Sequence, residues 1–249
     1  MKDIFLDYED ISNLEPLTYK NSGRYGACYK YEDGVLKIFR VPLYGFIKEN
    51  VRNNLKRKSE FIMYPERKLF LTRENPQFYG YKCKKAPGYS FNDIKEKVYE
   101  EELDISFDDF LTAYYDRFIR CIKKEDVIMC DIKPEHIFWD YNLYLIDTDF
   151  YTKNNFVLNS TKDKINISKI NNSLLEFFNY FLEKRFLSIN IDCNKKSFLE
   201  KFIKEIRKTT NYEVNSLKEL NNYNFVDSEE KRLRGFVYDN ISSRTNRRW

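Results

Sequence analysis

The spacing of apolar residues in this chain changes near Ser106, and that change limits the fold more than any other feature. Before it, the runs Ala27–Tyr31 and Val35–Phe39 flank Glu32–Gly34, whose Asp-Gly pair tolerates the positive φ of a tight hairpin turn. After it, apolar side chains recur at helical spacing, at Phe107, Phe110, Leu111, Tyr114, Phe118 and Ile122. Ser106 with Asp109 predicts a capping-box-like start for this helix. The sequence therefore predicts an α+β fold with strands first and helices after them.

The remaining elements follow the same division. Further strands are predicted at 68–71 and 78–83, and the residues between the hairpin and these strands, 46–62, favour a helix. After a short β segment within 127–145, helical stripes occupy 167–181, 198–206 and the region near 214–220. Ala86–Gly88 is the predicted connector. We therefore expect a small β-rich lobe at 1–85 and a mostly helical lobe at 86–249.

The composition is that of a folded domain. Of 249 residues, 42% are hydrophobic and 17% aromatic, far too many for a disordered chain. The net charge is only +4, which does not by itself indicate a nucleic-acid partner. The sequence has no apolar run of about 18 residues and no signal-peptide pattern at its start. Five scattered cysteines without a C-x-x-C pair are typical of reduced thiols, so we expect a cytoplasmic protein.

The densest set of reactive side chains lies in Cys130–Phe138 (CDIKPEHIF) and Leu145–Phe150 (LIDTDF). Phosphoryl transfer needs a carboxylate that orients the attacking hydroxyl, a cation near the transferring phosphoryl and a carboxylate on Mg²⁺. Asp131, Lys133 and Asp147 are candidates for these three roles. The alternative is a charged surface turn before a strand.

This segment resembles the protein-kinase catalytic loop H-R-D-L-K-P-E-N followed by D-F-G. Asp131, Lys133, Pro134 and Glu135 match it residue for residue, and Asp147 occupies the position of the metal-binding aspartate. The resemblance implies a bilobal protein-kinase-like fold, with ATP and Mg²⁺ or Mn²⁺ as cofactors.

Upstream, Asn21–Cys28 (NSGRYGAC) is similar to the kinase glycine-rich loop, in which backbone N–H groups approach phosphates. Gly23, Arg24, Tyr25 and Gly26 are its ATP-binding candidates, although hairpins contain such glycines for structural reasons as well. The second strand of the hairpin then carries Lys37 in V-L-K-I, similar to the V-A-I-K lysine that pairs with the α/β-phosphates. A lysine on the solvent face of an edge strand is the alternative.

The resemblance also implies a glutamate partner for Lys37 on the helix of the first lobe. Glu60 is the first choice and Glu49 the second. It places the adenine site at the connector, where the backbone of Cys83, Lys84 and Lys85 would bond the purine edge.

The chain departs from the kinase pattern in several respects. Met129-Cys130-Asp131 lacks the Arg that pairs with a phosphorylated activation loop, and no A-P-E motif follows. His136 replaces the metal-binding Asn, as a metal ligand that favours Mn²⁺ or as a structural histidine. Asp149 replaces the Gly of D-F-G and would offer a second carboxylate to the metal or cap the following turn.

These features predict an ATP-dependent phosphotransferase, a divergent serine/threonine kinase acting on a protein hydroxyl. A small-molecule kinase of the same fold and a non-catalytic pseudokinase are the alternatives. A protein substrate is the expected partner, and no membrane partner is expected. The basic run within 48–58 and the basic tail at Arg244, Arg247 and Arg248 leave a nucleic-acid partner open.

Overall fold

The computed structural model describes residues 2–17, 26–40, 45–55, 57–72, 74, 77–153, 157–182 and 197–240. Helices account for about 49% of the described residues and strands for about 22%, which confirms the predicted α+β class. One compact unit comprises residues 1–86 with 145–153, and a second comprises 87–144 with 154–249. The segment 145–153 was predicted to lie in the second lobe. It belongs to the first unit because the backbone of Leu145 bonds to that of Phe61 and Met63.

A five-stranded sheet organises the first unit. Its strands are β1 Ile4–Leu6, β2 Gly26–Tyr31, β3 Gly34–Phe39, β4 Pro65–Leu71 and β5 Gln77–Lys84, in the spatial order β1-β4-β5-β3-β2. β1 pairs in parallel with β4, and the other neighbours are antiparallel. The predicted hairpin is confirmed: β2 and β3 pair from Tyr31 opposite Gly34 to Gly26 opposite Phe39.

Each face of this sheet carries its own apolar cluster, as the two-residue period of a strand requires. Ile4, Leu36, Ile38 and Leu69 form the cluster on one face. On the other, Phe39 and Tyr81 pack against the helix α2 Gly45–Asn54 through Ile47 and Val51. Outside the sheet, the first unit has the short helix α1 Tyr8–Ser12 and the strand β10 Thr152–Lys153.

Helix α2 ends at Asn54 and is therefore shorter than the helix predicted over 46–62. Its buried residues are Ile47, Asn50, Val51 and Asn54, a stripe at the i, i+3, i+4, i+7 spacing of a helix that packs against a core. Half of that stripe is asparagine, and a buried amide must be hydrogen-bonded. The stripe therefore has polar partners as well as apolar ones.

The second unit is mostly helical. Its helices include α3 Phe91–Tyr99, α4 Phe107–Thr112, α5 Ile119–Ile122, α6 Asn159–Phe181, α7 Phe198–Thr209, α8 Leu217–Asn222 and α9 Asp227–Asn240. A π-helical segment, Ala113–Phe118, joins α4 to α5, so the helix predicted from Phe107 to Ile122 contains a π interruption. Ser106 caps its start as predicted, since its Oγ accepts a hydrogen bond from the backbone N–H of Asp109 at 3.1 Å.

Aromatic rings fill the core between these helices. The ring centroids of Phe91 and Phe177 lie 4.1 Å apart, and Phe110 meets Phe178 edge-on at 5.6 Å. These rings come from α3, α4 and α6. Phe110 and Phe178 belong to stripes read from the sequence, whereas α3 was not predicted.

Short strands complete the second unit: β6 Tyr89–Ser90, β7 Val127–Ile128, β8 Ile137–Trp139 and β9 Leu143–Leu145, with β6, β8 and β9 forming one sheet. Gly88 precedes β6 with φ of 73°, and a Cβ there would lie 1.8 Å from the carbonyl oxygen of Trp139. Only glycine fits this approach, which explains the turn at the predicted connector.

Candidate functional site

Lys37 lies in β3 and points into an acidic pair of the first unit. Strand alternation places Lys37 on the same face as Phe39, the face that α2 covers. Its Nζ contacts the carboxylate of Asp147 and lies 2.6 Å from Oδ2 of Asp149. The Lys37 side chain is only 11% exposed, so its charge is balanced by these carboxylates and not by water.

The electrostatic environment keeps Lys37 charged. Burial alone would lower the pKa of Lys37, but the carboxylates of Asp149 and Asp147 outweigh burial and raise it above its ordinary value. The alternative of a lysine on a solvent face is therefore wrong.

The acidic pair belongs to a turn that follows β9. Asp147 has φ of 58° and ψ of 61°, a left-handed conformation that aspartate tolerates better than most residues. The 3₁₀ turn Thr148–Phe150 then begins. This geometry brings both aspartate side chains to the same ammonium group, although they are separated in sequence by Thr148.

Asp149 is the more buried of the two aspartates, with 1% exposure. Its Oδ1 accepts a 2.6 Å hydrogen bond from the hydroxyl of Tyr81 in β5, while Oδ2 faces Lys37. Burial raises the pKa of Asp149 to about 6, against the opposing effect of Lys37. Burial also raises the pKa of Tyr81, which is therefore a hydrogen-bond donor at neutral pH.

The two buried asparagines of α2 hold the backbone of this turn. Asn50 donates from Nδ2 to the carbonyl oxygen of Asp149 at 3.1 Å. Asn54 donates to the carbonyl oxygens of Thr148 and Tyr151 at 3.0 and 3.1 Å. Sequence analysis missed both residues and Tyr81. An asparagine pair at i and i+4 inside an apolar stripe was the available signal for α2.

The proposed glutamate partners of Lys37 lie elsewhere. Helix α2 ends at Asn54, so Glu60 lies beyond the helix on which it was expected, and both Glu60 and Glu49 are exposed. The carboxylates that meet Lys37 come instead from the turn at Asp147 and Asp149.

Of the four ATP-binding candidates in the predicted glycine-rich loop, only Gly26 can be placed. Gly23, Arg24 and Tyr25 lie outside the described residues. Gly26 begins β2, where a Cβ would come within 2.7 Å of the carbonyl oxygen of Ile38. The close approach of β3 therefore requires a glycine here, whatever else the loop binds.

The predicted adenine-binding residues form the end of β5. Cys83 lies in the sheet opposite Val35 and Pro65, with its thiol half-buried, and burial raises the pKa of that thiol. Lys84 and Lys85 are exposed at the strand end. Cys83 is therefore enclosed between two neighbouring strands, and only the backbone that follows it lies at the end of the strand.

Cys28 lies opposite Lys37 in the β2–β3 ladder. Burial raises the pKa of its thiol to about 11, and the nearby Lys37 opposes that shift. Among the described residues, Cys28, Cys83, Cys121 and Cys130 are free.

Asp131 and Lys133 occupy an exposed turn of the second unit. Asp131 follows β7 and has φ of 57°, the same left-handed region as Asp147. Lys133 Nζ lies 3.1 Å from Asp131 Oδ2, and their side chains are 48% and 38% exposed. A carboxylate and an ammonium group therefore lie together in a solvent-exposed turn.

His136 lies in the 3₁₀ turn Pro134–His136 and supports the same turn. Its Nδ1 lies 2.7 Å from the backbone carbonyl oxygen of Asp131. A carbonyl only accepts, so Nδ1 is the donor, and a metal would have to bind Nε2. The metal role stays a prediction.

Helix α6 holds the backbone on both sides of Asp131. Asn166 accepts from the N–H of Met129 at 2.8 Å and donates to the carbonyl oxygen of Val127 at 2.9 Å. Ser173, two turns further along the same helix, donates to the carbonyl oxygen of Ile132 at 2.8 Å. Sequence analysis missed both residues, which are polar positions within a buried helical stripe.

Replacing Asn166 with Ala should destabilise the protein by about 1–3 kcal/mol, the cost of leaving buried backbone groups unsatisfied. Asn166 has no exposed surface, so water does not replace its bonds. Urea unfolding of Asn166→Ala would measure the loss. Lys164→Ala, an exposed position on the same helix, is the control. Equal stability of the two variants would show that Asn166 does not hold the Asp131 segment.

The described residues contain no group of three or more His, Cys, Asp or Glu side chains arranged to hold a metal ion. Mg²⁺, however, is commonly bound through one or two carboxylates together with substrate phosphates. Asp147, 26% exposed, fits that requirement.

Comparison with known proteins adds no further assignment. Neither a scan against protein-family models nor a search of curated proteins finds a match to this chain. Among the helices that the structure describes, none has the combination of length and apolar character needed to cross a bilayer.

Proposed function

We propose that this protein is an ATP- and divalent-metal-dependent phosphotransferase with the bilobal organisation of the protein kinases. One observation carries the proposal: Lys37 and Asp147 meet although they are 110 positions apart. Each was selected from its own motif, one as a phosphate-binding lysine and the other as a metal-binding aspartate. A chance resemblance at either motif would not require the two side chains to be neighbours.

The roles of the residues follow from their chemistry. Lys37 would hold the α- and β-phosphates of ATP, and Asp147 would bind the divalent cation. The cation, when bound, neutralises charge on the β- and γ-phosphates. Asp147 suits this role because a partly exposed carboxylate is a hard oxygen ligand.

Asp131 would orient the acceptor hydroxyl and receive its proton. In this step the acceptor oxygen forms a bond to the γ-phosphorus, the bond from phosphorus to the β–γ bridging oxygen breaks, and ADP leaves. Lys133 would stabilise the charge on the transferring phosphoryl. The Lys133 ammonium group lies 3.1 Å from the Asp131 carboxylate, so the acid–base group and this ammonium group would act at one place.

A protein hydroxyl is the proposed acceptor, because Asp131 and Lys133 keep the D-x-K-P order of the protein kinases. The small-molecule kinases of this fold usually lack that lysine. A kinase for a small molecule and a pseudokinase remain the competing functions, and the following experiment separates them.

The test is incubation of the purified protein with ATP labelled at the γ-phosphate and Mg²⁺ or Mn²⁺. We expect the melting temperature to rise with ATP and metal, because a ligand that binds only the native state stabilises it. We also expect label on the protein itself or on an added protein substrate. Stabilisation without any transfer would indicate a pseudokinase. Label found only on a metabolite would indicate a small-molecule kinase, and neither stabilisation nor transfer would refute the proposal.

A further inference from the structure

The two carboxylates at Lys37 are not equivalent. The Asp149 side chain is 1% exposed, whereas that of Asp147 is 26% exposed. A ligand arriving from solvent can therefore reach Asp147. It could reach Asp149 only if the residues that bury Asp149 moved away.

Both oxygens of Asp149 already have protein partners. Oδ1 accepts the hydroxyl of Tyr81 at 2.6 Å, and Oδ2 lies 2.6 Å from Lys37 Nζ. A metal on this carboxylate would have to displace one of these partners, at the cost of an unpaired buried group.

The backbone of Asp149 is held as firmly as its side chain. Its carbonyl oxygen accepts from Asn50, and the neighbouring carbonyl of Thr148 accepts from Asn54. Both asparagines belong to the buried face of α2. Side chain and backbone are thus attached to two different elements, β5 and α2, and the carboxylate has one available position.

From this asymmetry we infer a division of labour, which rests on the proposed function: Asp149 is a positioning residue that anchors Lys37 permanently, and Asp147 is the carboxylate that exchanges Lys37 for the metal. Asp149 acts through Lys37 and touches neither nucleotide nor metal. Tyr81 extends the anchor, because it fixes the Asp149 carboxylate without contacting a substrate.

The charges agree with this division. One ammonium group faces two carboxylates, that of Asp147 and that of Asp149. When the phosphates approach Lys37, one carboxylate must give way to them. The partly exposed Asp147 can turn to a divalent cation, whereas the buried Asp149 cannot turn to one without leaving Tyr81.

The first test uses the protein without ligand. Melting temperatures are compared for Lys37→Met, Asp149→Asn and the double variant that combines them. The same comparison is made for Lys37→Met, Asp147→Asn and their double variant. Lys37→Met leaves the buried Asp149 carboxylate without its cation, and Asp149→Asn leaves Lys37 with Asp147 alone, so the double variant should lose much less than the sum of the two. The coupling with Asp147 should be smaller. If the coupling between Lys37 and Asp147 is equal to or larger than the coupling between Lys37 and Asp149, the proposed anchoring role of Asp149 is overturned.

The second test titrates Mg²⁺ while recording stabilisation by ATP. Asp147→Asn should raise the Mg²⁺ midpoint about tenfold or more, as expected for loss of a ligand worth about 1.4 kcal/mol. Asp149→Asn should leave that midpoint unchanged and weaken ATP binding by a similar factor with Mg²⁺ and with chelator present. Tyr81→Phe, which keeps every charge, should shift ATP binding in the same direction by less.

The outcomes separate the possible roles. A raised Mg²⁺ midpoint in Asp149→Asn would make Asp149 a metal ligand and overturn the inference. Lower stability with unchanged ATP binding in both Asp149→Asn and Tyr81→Phe would also overturn it, because a merely structural residue behaves in that way. If wild-type protein is not stabilised by ATP at all, the proposed function fails, and the coupling measured without ligand decides the anchor alone.

Discussion

Asp131→Asn is expected to slow phosphoryl transfer by about 10²- to 10⁴-fold, the usual contribution of a positioned acid–base group, and to leave ATP binding at the wild-type level. Asp131 would contact the acceptor hydroxyl, so its loss affects the transition state and not the bound nucleotide. Asparagine suits the test because it also tolerates the left-handed conformation at this position, where φ is 57°. The substitution therefore removes the charge without straining the backbone.

The measurement is single-turnover transfer from labelled ATP, with ATP binding followed in parallel by thermal stabilisation. Asp140→Asn, an exposed aspartate in the same unit, is the matched control and should transfer at the wild-type rate. Wild-type transfer by Asp131→Asn would show that the D-I-K-P-E segment is a surface turn.

Lys37→Met should abolish stabilisation by ATP and, at neutral pH, should lower the free energy of unfolding by about 3–5 kcal/mol, the range for breaking a buried ion pair. Removing the ammonium group leaves the buried Asp149 carboxylate without its cation. Methionine keeps most of the apolar stem, so the loss reports the charge. Folding and nucleotide binding thus depend on the same lysine, which the sequence motif alone does not indicate.

The stability lost in Lys37→Met should be partly recovered as the pH falls from 8 to 5. The folded-state pKa of Asp149 is about 6 with Lys37 in place, and removing that cation raises it further. The unfolded value is about 4, so the native state binds the extra proton and stability rises as the pH drops through the folded-state pKa. Tyr81, Asp147 and Cys28 also surround the cluster and remain in the variant.

Urea unfolding of wild type and variant across this pH range measures the effect. Lys30→Met is the control, because Lys30 pairs with Glu15 where both side chains are more than half exposed. It should cost little stability and show no recovery in acid. If the stability that Lys37→Met loses relative to wild type grows as the pH falls, the variant does not contain a buried Asp149 carboxylate that lacks a cation.

Much of the local structure was predictable. The Asp-Gly turn specified the hairpin, and the alternation in V-L-K-I-F placed Lys37 and Phe39 on one face of β3. The helical stripe from Phe107 and the cap at Ser106 were equally readable. One error came where a pattern was extended too far, since the helix expected over 46–62 ends at Asn54. The helices Phe91–Tyr99 and Asp227–Asn240 were not predicted.

The site was predictable only in its separate parts. Lys37, Asp131 and Asp147 were selected because their neighbours in sequence form recognisable motifs. Tyr81 was missed because nothing within a few residues of it indicates a polar role. Asn50 and Asn54 were missed although their i, i+4 spacing inside an apolar stripe was a local signal. The partners of all three residues lie in the turn at 148–151, between 68 and 99 positions away.

The sequence by itself determined the elements and the face on which each side chain lies, because strand alternation, helical spacing and turn chemistry act over only a few residues. Only the tertiary structure decided which carboxylates meet Lys37. That choice depends on how β5 and α2 pack around the turn after β9, which places a tyrosine hydroxyl and two amides where they hold Asp149. A buried ammonium group takes whichever anion the packing brings to it, and here packing brought Asp147 and Asp149.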